Sequence, residues 1–431
     1  MDRVLLVLFT TLAACGGTPA FTSGSTVPPF PQEPGSPVDG TVVNRFGESV
    51  AGARVGIGSA EATTDADGKF TVPFVPMTYD AAVVVDDPPV PTGFPSVSRA
   101  VVYQRLTRRD PVLFVPGLRT QPGTTNHSTT LQSVTTSGLS GVPLLWAFIN
   151  RSGVVVAAGV VSAAEMRFVW NGHDAVNPGS LVAMIASAPQ GLTASGEVPV
   201  TAGDAPLSVT VPVTAARTIT LSAIGRPPAD PCRVATFEVV VPASDGTVVT
   251  AARFIAPVQP GIATALDSVV GFTSEVPLSL RIRTICPPSS ATTVVARSLS
   301  PSTKTFDIDI PAPPLITNPL SGGTPSAAAP LAWTAPEGSV SVLHFDRVES
   351  DGFISGTLDL ATTSTSTRFP RLDTLGAKVV PGTTLRWRVE AWGGLTGTDA
   401  LADARGFGAL LAGTGNFSQG VSESSTVRIP R

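Results

Sequence analysis

Histidine and cysteine are scarce in this sequence, with three residues of each among 431. The histidines, His127, His173 and His344, stand far apart, and the chain has no His-Glu-x-x-His, Cys-x-x-Cys or Gly-x-Ser-x-Gly motif. These absences argue against the zinc and serine-hydrolase sites that carry a local signature. A glycosidase carboxylate pair comes from distant positions and leaves no such signature. Because small β-modules already account for each segment, we expect a non-enzymatic protein with no cofactor and no metal.

Charged and aromatic residues are also few, at 14% and 6%, and the net charge is −4. This balance provides no basic surface for nucleic acid, so we expect no such partner. Sugar sites usually need exposed aromatic rings, and most aromatics here stand at positions typical of a core. Trp392 is the exception, because we predict that it points outward at a loop edge. Hydrophobic residues reach 42%, which is enough for real cores and argues against disorder.

The apolar run from Val4 to Leu12 is too short to cross a membrane, which takes about 20 residues. It follows the single cation Arg3 and leads into small residues, as an export signal does. The sequence Leu-Ala-Ala-Cys that ends at Cys15 resembles the lipobox of bacterial lipoproteins. That resemblance implies a lipid on Cys15 and a membrane partner. Gly16, where an Asp would favour retention at the inner membrane, points to the outer membrane. An ordinary signal peptide cut elsewhere is the alternative.

Two further cysteines, Cys232 and Cys286, form an even pair in a chain that we expect to be exported. Such a pair predicts one disulfide. It would close a loop of about 54 residues and contribute roughly 4 kcal/mol in the chain-entropy model. Alternate residues from Leu278 onward share one strand face, which directs Cys286 toward the core.

Valine and threonine abound, and 41 glycines and 41 prolines punctuate short apolar stretches. This pattern is typical of a mainly β chain, and we predict tandem β-sandwich modules with little helix. A signal peptide at 1–14 and a Pro/Gly/Ser-rich tether at 15–37 precede them. We place the first, second, third and last modules at 38–116, 117–214, 215–312 and 313–431.

The first module carries Gly40-Thr41-Val42-Val43, then an alternating stretch from Val50 to Ile57, then a turn from Asp65 to Gly68. Over residues 38–85 this resembles the carboxypeptidase regulatory-like domain, a transthyretin-like β-sandwich that carries no peptidase activity itself. The turn also resembles the start of a calcium loop, but position twelve is Pro76, which supplies no carboxylate. We therefore predict a hairpin turn there.

The next two modules are less specific. In the second, Trp170-Asn171-Gly172 resembles the Ig-like domain of the flagellar hook-capping protein, and we predict that Trp170 is a core or corner aromatic and that His173 lies in an exposed turn. In the third, the alternation of Ile219, Leu221 and Ala223 predicts a half-buried strand.

The last module resembles a fibronectin type III or similar Ig-like sandwich, with Trp333 as the buried tryptophan and a late strand ending near Trp392. Its predicted inward positions are Leu385, Trp387, Val389 and Ala391. A long connection, 393–421, would follow, with a short helical turn near Asp399. Such a segment is either a binding element or a tolerated insertion.

Two non-enzymatic functions remain. In the first, the chain is a cell-envelope-anchored lipoprotein whose β-sandwich modules act as a structural, adhesive or interaction scaffold, with a protein or polysaccharide as its possible ligand. In the second, one module makes it a carbohydrate-binding surface lipoprotein. Pull-down on insoluble polysaccharide would separate the two functions.

Overall fold

A computed structural model provides the fold of this chain. It describes the following residues: 35–44, 49–87, 97–115, 126–134, 144–150, 155–161, 166–171, 179–187, 191–200, 207–209, 214–242, 248–273, 276–320, 322–325, 330–379, 382–403 and 416–429. Strands take up 63% of the chain and helix 1%, so the predicted mainly β class of tandem sandwiches is confirmed. Cys15, the tether up to residue 34, His173 and the side chains of His127 and Trp170 lie outside the description.

In the first half of the chain the strands are short and follow one another closely. The first module contains β1 (Ser36–Asn44), β2 (Arg54–Ile57), β3 (Ala60–Thr63), β4 (Lys69–Val75), β5 (Tyr79–Asp86), β6 (Ser98–Leu106) and β7 (Val112–Val115). The second contains β8 (Asn126–Val134), β9 (Leu144–Asn150), β10 (Val155–Val161), β11 (Met166–Asn171), β12 (Gly179–Ser187), β13 (Gly191–Val200) and β14 (Leu207–Val209). The short strand β15 (Thr214–Ala215) spans the predicted boundary between the second and third modules.

In the second half the strands are longer. The third module contains β16 (Arg217–Arg226), β17 (Arg233–Pro242), β18 (Val248–Ile255), β19 (Thr264–Phe272), β20 (Leu278–Ile285), β21 (Thr292–Leu299) and β22 (Thr305–Asp309). The last contains β23 (Leu315–Asn318), β24 (Leu331–Thr334), β25 (Val340–Val348), β26 (Ile354–Thr362), β27 (Ser366–Thr367), β28 (Thr384–Gly393), α1 (Thr398–Leu401), β29 (Phe417–Val421) and β30 (Ser425–Arg428).

Strands of the first, third and last modules join in one sheet, 13-stranded over the described residues. Its order is β18-β17-β20-β21-β29-β28-β25-β26-β6-β5-β2-β3, with β30 beside β28. Two strand pairs connect the modules: β21 lies antiparallel to β29, and β26 runs parallel to β6. Backbone hydrogen bonds therefore link segments that are far apart in the sequence.

The second and third modules share another sheet, in the order β10-β9-β12-β13-β19-β16-β22, with β15 beside β13. The two modules meet where Gly191 of β13 lies beside Gly271 of β19. A Cβ at Gly271 would lie 1.6 Å from the carbonyl oxygen of Leu192, so the close approach requires glycine. Smaller sheets complete the sandwiches, in the orders β4-β1-β7, β11-β8-β14 and β23-β24-β27.

The hydrophobic cores also cross the predicted module boundaries. One cluster combines second-module residues such as Val182 with third-module residues such as Phe237. Strands β5 and β6 are covered on both faces, because Val83 and Val101 pack in one cluster while their neighbours Val84 and Val102 pack in another. Burial on both faces accounts for the near-continuous apolar runs of these two strands.

The local strand predictions are confirmed where the structure describes them. Leu385, Trp387, Val389 and Ala391 are buried along β28, and Trp333 is buried with its indole N–H donating to Ser341 Oγ at 2.9 Å. At Asp65 the predicted turn is present, since Asp65 Oδ1 accepts the backbone N–H groups of Asp67 and Lys69 at 2.9 and 2.8 Å and Gly68 has φ 71°. The predicted hairpin is wrong, because the flanking strands β3 and β4 pair with β2 and β1 in different sheets.

The prediction that Trp392 points outward to solvent is wrong, since only 3% of this residue is exposed. The face of β28 that carries Trp392 packs on a hydrophobic core that includes first-module residues. The centroids of the Trp392 and Phe417 rings are 5.6 Å apart. The segment 393–421 is also not one long loop, because β29 occupies its end. The predicted helical turn near Asp399 is present as α1.

Candidate functional site

One face of the 13-stranded sheet carries a band of charged side chains, which we call the charged face. Residues directly opposite each other on paired strands share a face. In the strand register, His344 of β25 lies opposite Asp359 of β26 and opposite Arg388 of β28. Glu390 is two residues beyond Arg388 on the same face. Three neighbouring strands therefore bring a histidine, two carboxylates and a guanidinium together.

His344 lies between two carboxylates. Its Nδ1 is 2.5 Å from Asp359 Oδ1, and its Nε2 is 3.2 Å from Glu390 Oε1, an ion-pair contact without the direction of a good hydrogen bond. The side chains of these three residues are 12% to 16% exposed. We call this group the histidine cluster.

The charges of the histidine cluster hold each other in the ionised form. Burial by itself lowers the pKa of His344, but the negative charges of Glu390 and Asp359 outweigh it and raise that pKa to about 10. Burial by itself raises the pKa of Glu390, whereas His344 and Arg388 together lower it to about 2. The imidazole is therefore a cation at neutral pH.

Polar neighbours extend the histidine cluster along the sheet. Glu390 also accepts from Gln419 Nε2 at 3.0 Å, and Arg388 lies 3.4 Å from it. Two residues before Arg388 on the same face of β28, Arg386 donates two hydrogen bonds to Asp346 Oδ2, at 2.8 and 3.2 Å. These contacts join β25, β26, β28 and β29 through side chains as well as through the backbone.

The contacts of His344 join three strands through side chains. Both ring nitrogens of His344 face carboxylates, and within the described part of the chain no hydroxyl or thiol lies within hydrogen-bond distance of either one. A general base needs a free nitrogen beside the proton that it removes. A protonated imidazole held between two carboxylates instead fixes three strands in register.

A second group of cations lies further along the charged face, on β20. In the strand register, Arg281 lies opposite Glu238 of β17 and opposite Ala296 of β21. Arg283 is two residues further along β20 on the same face. Glu238 itself is occupied by Arg253, whose Nε lies 2.8 Å from its Oε1. Burial, opposed by Glu238 and assisted by Arg283, lowers the pKa of Arg281.

The segment after β28 holds the last module against the first. Asp399 Oδ1 accepts the backbone N–H groups of Thr107 and Arg108 at 2.9 and 3.2 Å, and its Oδ2 accepts the Thr107 hydroxyl. Thr398 Oγ1 donates to the carbonyl of Gln104 at 2.7 Å, and the N–H of Val112 donates to the carbonyl of Ala402 at 2.7 Å. This segment, residues 398–402, is a clasp between two modules.

The predicted disulfide between Cys232 and Cys286 is confirmed. Their Cα atoms are 3.9 Å apart, and the residues are 7% and 8% exposed. The bond ties the residue just before β17 to the residue just after β20, and these two strands are themselves paired. The disulfide therefore closes one end of the third module.

Other predicted features are placed as follows. Asp307 and Asp309 lie on one exposed face of β22 and both contact Arg226, at 2.7 and 3.6 Å. Among the described residues, no three His, Cys, Asp or Glu side chains converge as metal ligands, and no helix is long and apolar enough to cross a membrane. The lipidation prediction for Cys15 stays a prediction.

Sequence reasoning missed the histidine cluster, the arginines of β20 and the clasp. The alternation of Arg386, Arg388 and Glu390 with inward apolar residues was a usable signal for a charged strand face. The partners of these side chains come from other strands and modules, and a single sequence contains no signal for that pairing.

Comparisons with known proteins add little about function. No protein-family model matches the chain, and no curated protein matches it. Among solved structures, the chain is similar to a streptococcal ancillary pilin at 10% identity, over 64% of this chain and 98% of that one, with a TM-score of 0.16. At that score the similarity carries no argument for a shared function.

Proposed function

We propose that this protein is a non-enzymatic scaffold of the cell envelope, held by a lipid on Cys15 and acting structurally or adhesively through its β-sandwiches. The outer membrane is its proposed location. This role needs modules that keep fixed positions, because a scaffold presents its surfaces in a defined arrangement.

The observation that supports the proposal most directly is β-pairing between modules. The β21–β29 and β26–β6 pairs continue one sheet through three modules. The clasp at Asp399 and the histidine cluster add side-chain contacts to the same arrangement. Independently folded modules on a flexible chain would lack such strand pairs. Domains that meet only through small polar interfaces move relative to one another.

The buried position of Trp392 weakens the alternative of an aromatic sugar-binding platform. A ring that is 3% exposed offers no face on which a sugar can stack. A carbohydrate site at this end of β28 would have to use polar groups.

The anchor is tested by fractionating cells that produce the wild-type chain, Cys15→Ser or the neighbouring control Gly16→Ala. We expect wild type and Gly16→Ala in the membrane fraction and Cys15→Ser in the soluble fraction, with unprocessed precursor accumulating when globomycin blocks lipoprotein processing. The scaffold role predicts that cells with Cys15→Ser also lose attachment to surfaces. Unchanged fractionation of Cys15→Ser would overturn the anchor, and unchanged attachment would overturn the adhesive role.

A further inference from the structure

Arg281 is a half-buried cation on β20. Its Nε is inaccessible to solvent and makes no hydrogen bond. Within the described ranges, neither Arg281 nor Arg283 has a carboxylate at ion-pair distance, and the nearest one by register, that of Glu238, is engaged by Arg253. A buried polar nitrogen that makes no hydrogen bond is costly, so the unsatisfied Nε of Arg281 requires an explanation.

The surroundings of Arg281 leave an excess of positive charge on an acidic chain. Arg283 is exposed and lies on the same face of β20. The guanidinium carbon of Arg281 is 6.0 Å from the centroid of the Phe417 ring, a contact that orients the side chain without neutralising it. Two guanidinium groups, about two strand residues or ~7 Å apart at their Cα atoms, therefore remain available to an external anion.

Uncharged polar groups flank the two arginines. Thr236 is directly opposite Arg283, and its hydroxyl oxygen is buried without a hydrogen-bond partner. Gln419 lies on the other side, opposite Val294, which in turn pairs with Arg283. The amide of Gln419, which is half-exposed, suits the hydroxyls of a sugar, and a guanidinium fork suits a planar carboxylate.

We propose that Arg281 and Arg283 form a carboxylate-binding site on the charged face and that its ligand is an acidic polysaccharide. A polymer that repeats carboxylates along its chain can engage both arginines at once, while its hydroxyls meet the half-exposed amide of Gln419. The site needs no exposed aromatic ring. The proposal does not rest on the scaffold role, because binding is measured on the purified chain and anchoring on cells.

The test uses the full chain and sodium alginate, a polymer of uronic acids, in calcium-free buffer, with binding followed by isothermal titration calorimetry. We expect alginate to bind and neutral dextran not to bind, with affinity falling as salt rises. Arg283→Glu is the main variant, because this exposed side chain can change without loss of folding. We expect it to weaken alginate binding at least about tenfold, which is the loss of one charge-assisted hydrogen-bonded contact.

Arg281→Gln should cause a similar loss, and its thermal unfolding is recorded beside it to separate binding from folding. Arg226→Gln is the matched control, because Arg226 is an exposed arginine on the other large sheet that is paired with Asp307. It should bind like wild type. The proposal is overturned if Arg283→Glu binds alginate normally, if alginate binds no better than dextran, or if dextran sulfate or polyglutamate of matched charge binds more tightly than alginate.

Discussion

At the scale of single residues, the histidine cluster sets how stability depends on pH. The pKa of His344 is raised from 6.5 to about 10 in the folded chain, so its contribution is complete below pH 6.5 and is lost as pH rises toward 10. The pKa of Glu390 is lowered from 4.5 to about 2, so its contribution is complete above pH 4.5 and is lost as pH falls toward 2. The cluster therefore stabilises the fold most between pH 4.5 and 6.5.

We predict that His344→Gln lowers the free energy of unfolding by about 3 kcal/mol at pH 6, because it removes the cation between the buried carboxylates of Asp359 and Glu390 and leaves only Arg388 beside Glu390. Urea unfolding at pH 6, 8 and 10 measures this. The difference from wild type should shrink as pH rises through that range, because the unfolded chain gives up the His344 proton above pH 6.5 while the native chain must keep it until pH nears 10. A difference that stays constant from pH 6 to 10 would show that His344 is neutral in the native chain.

A second residue-scale prediction concerns the clasp. Asp399→Ala removes the acceptor for two backbone N–H groups and one hydroxyl of the first module, and we expect a loss of about 2 kcal/mol. The matched control is Asp403→Ala, which breaks an ion pair with Arg108 in which the Asp403 side chain is 51% exposed. It should cost less than about 1 kcal/mol. Equal losses in the two variants, measured by urea unfolding, would contradict the assignment of Asp399 as the principal contact.

The same residues show what the sequence can reveal. The alternation of Leu385, Trp387 and Val389 follows from strand geometry alone, so their burial was predictable. The environment of Trp392 was not, because the core that covers it includes first-module residues such as Val101, almost 300 positions away. His344 meets Glu390 for the same kind of reason, since only tertiary register brings their strands together.

At the scale of elements, Gly271 determines how closely β19 approaches β13. We predict that Gly271→Ala destabilises the contact between the second and third modules by about 2 kcal/mol or more, because the added methyl would overlap the Leu192 carbonyl. Thr218→Ala is the control, since Thr218 is exposed and lies opposite Gly271 in register.

Hydrogen exchange in peptides from β13 and β19 reports on this contact. Faster exchange in both strands for Gly271→Ala, and unchanged exchange for Thr218→Ala, is the expected result. If Gly271→Ala exchanges like wild type, the approach of the two backbones is looser than the structure has it.

Element existence was easier to predict than element pairing. Short strands, the turn at Asp65 and the helical turn α1 all follow from local composition, whereas the hairpin predicted at Asp65 fails because β3 and β4 pair in different sheets. The end of the segment 393–421 was predicted as loop, although β29 pairs there with β21 and β28. Its short sequence, Phe-Ser-Gln-Gly-Val, contains a glycine and few β-branched residues, so local propensity gives it a weak signal and tertiary pairing determines the outcome.

At the scale of the whole molecule, shared strands imply shared unfolding. The β26–β6 pair runs from Gly356 beside Ser98 to Ala361 beside Tyr103, and cores on both faces of these strands contain residues of the first and last modules. Separating the two modules would expose both cores together. Local stabilities within one cooperative unit converge on a single value.

We therefore predict that the first and last modules unfold in one step. Native-state hydrogen exchange followed by mass spectrometry, at increasing denaturant, should give the same opening free energy for peptides 98–106 and 354–362. Asp399→Ala should lower both values equally, because the clasp lies between the modules that they represent. Opening free energies of the two peptides that differ by more than about 1 kcal/mol would show that they open in separate unfolding events. A decrease in the opening free energy of only one peptide in Asp399→Ala would likewise show two independently folding units.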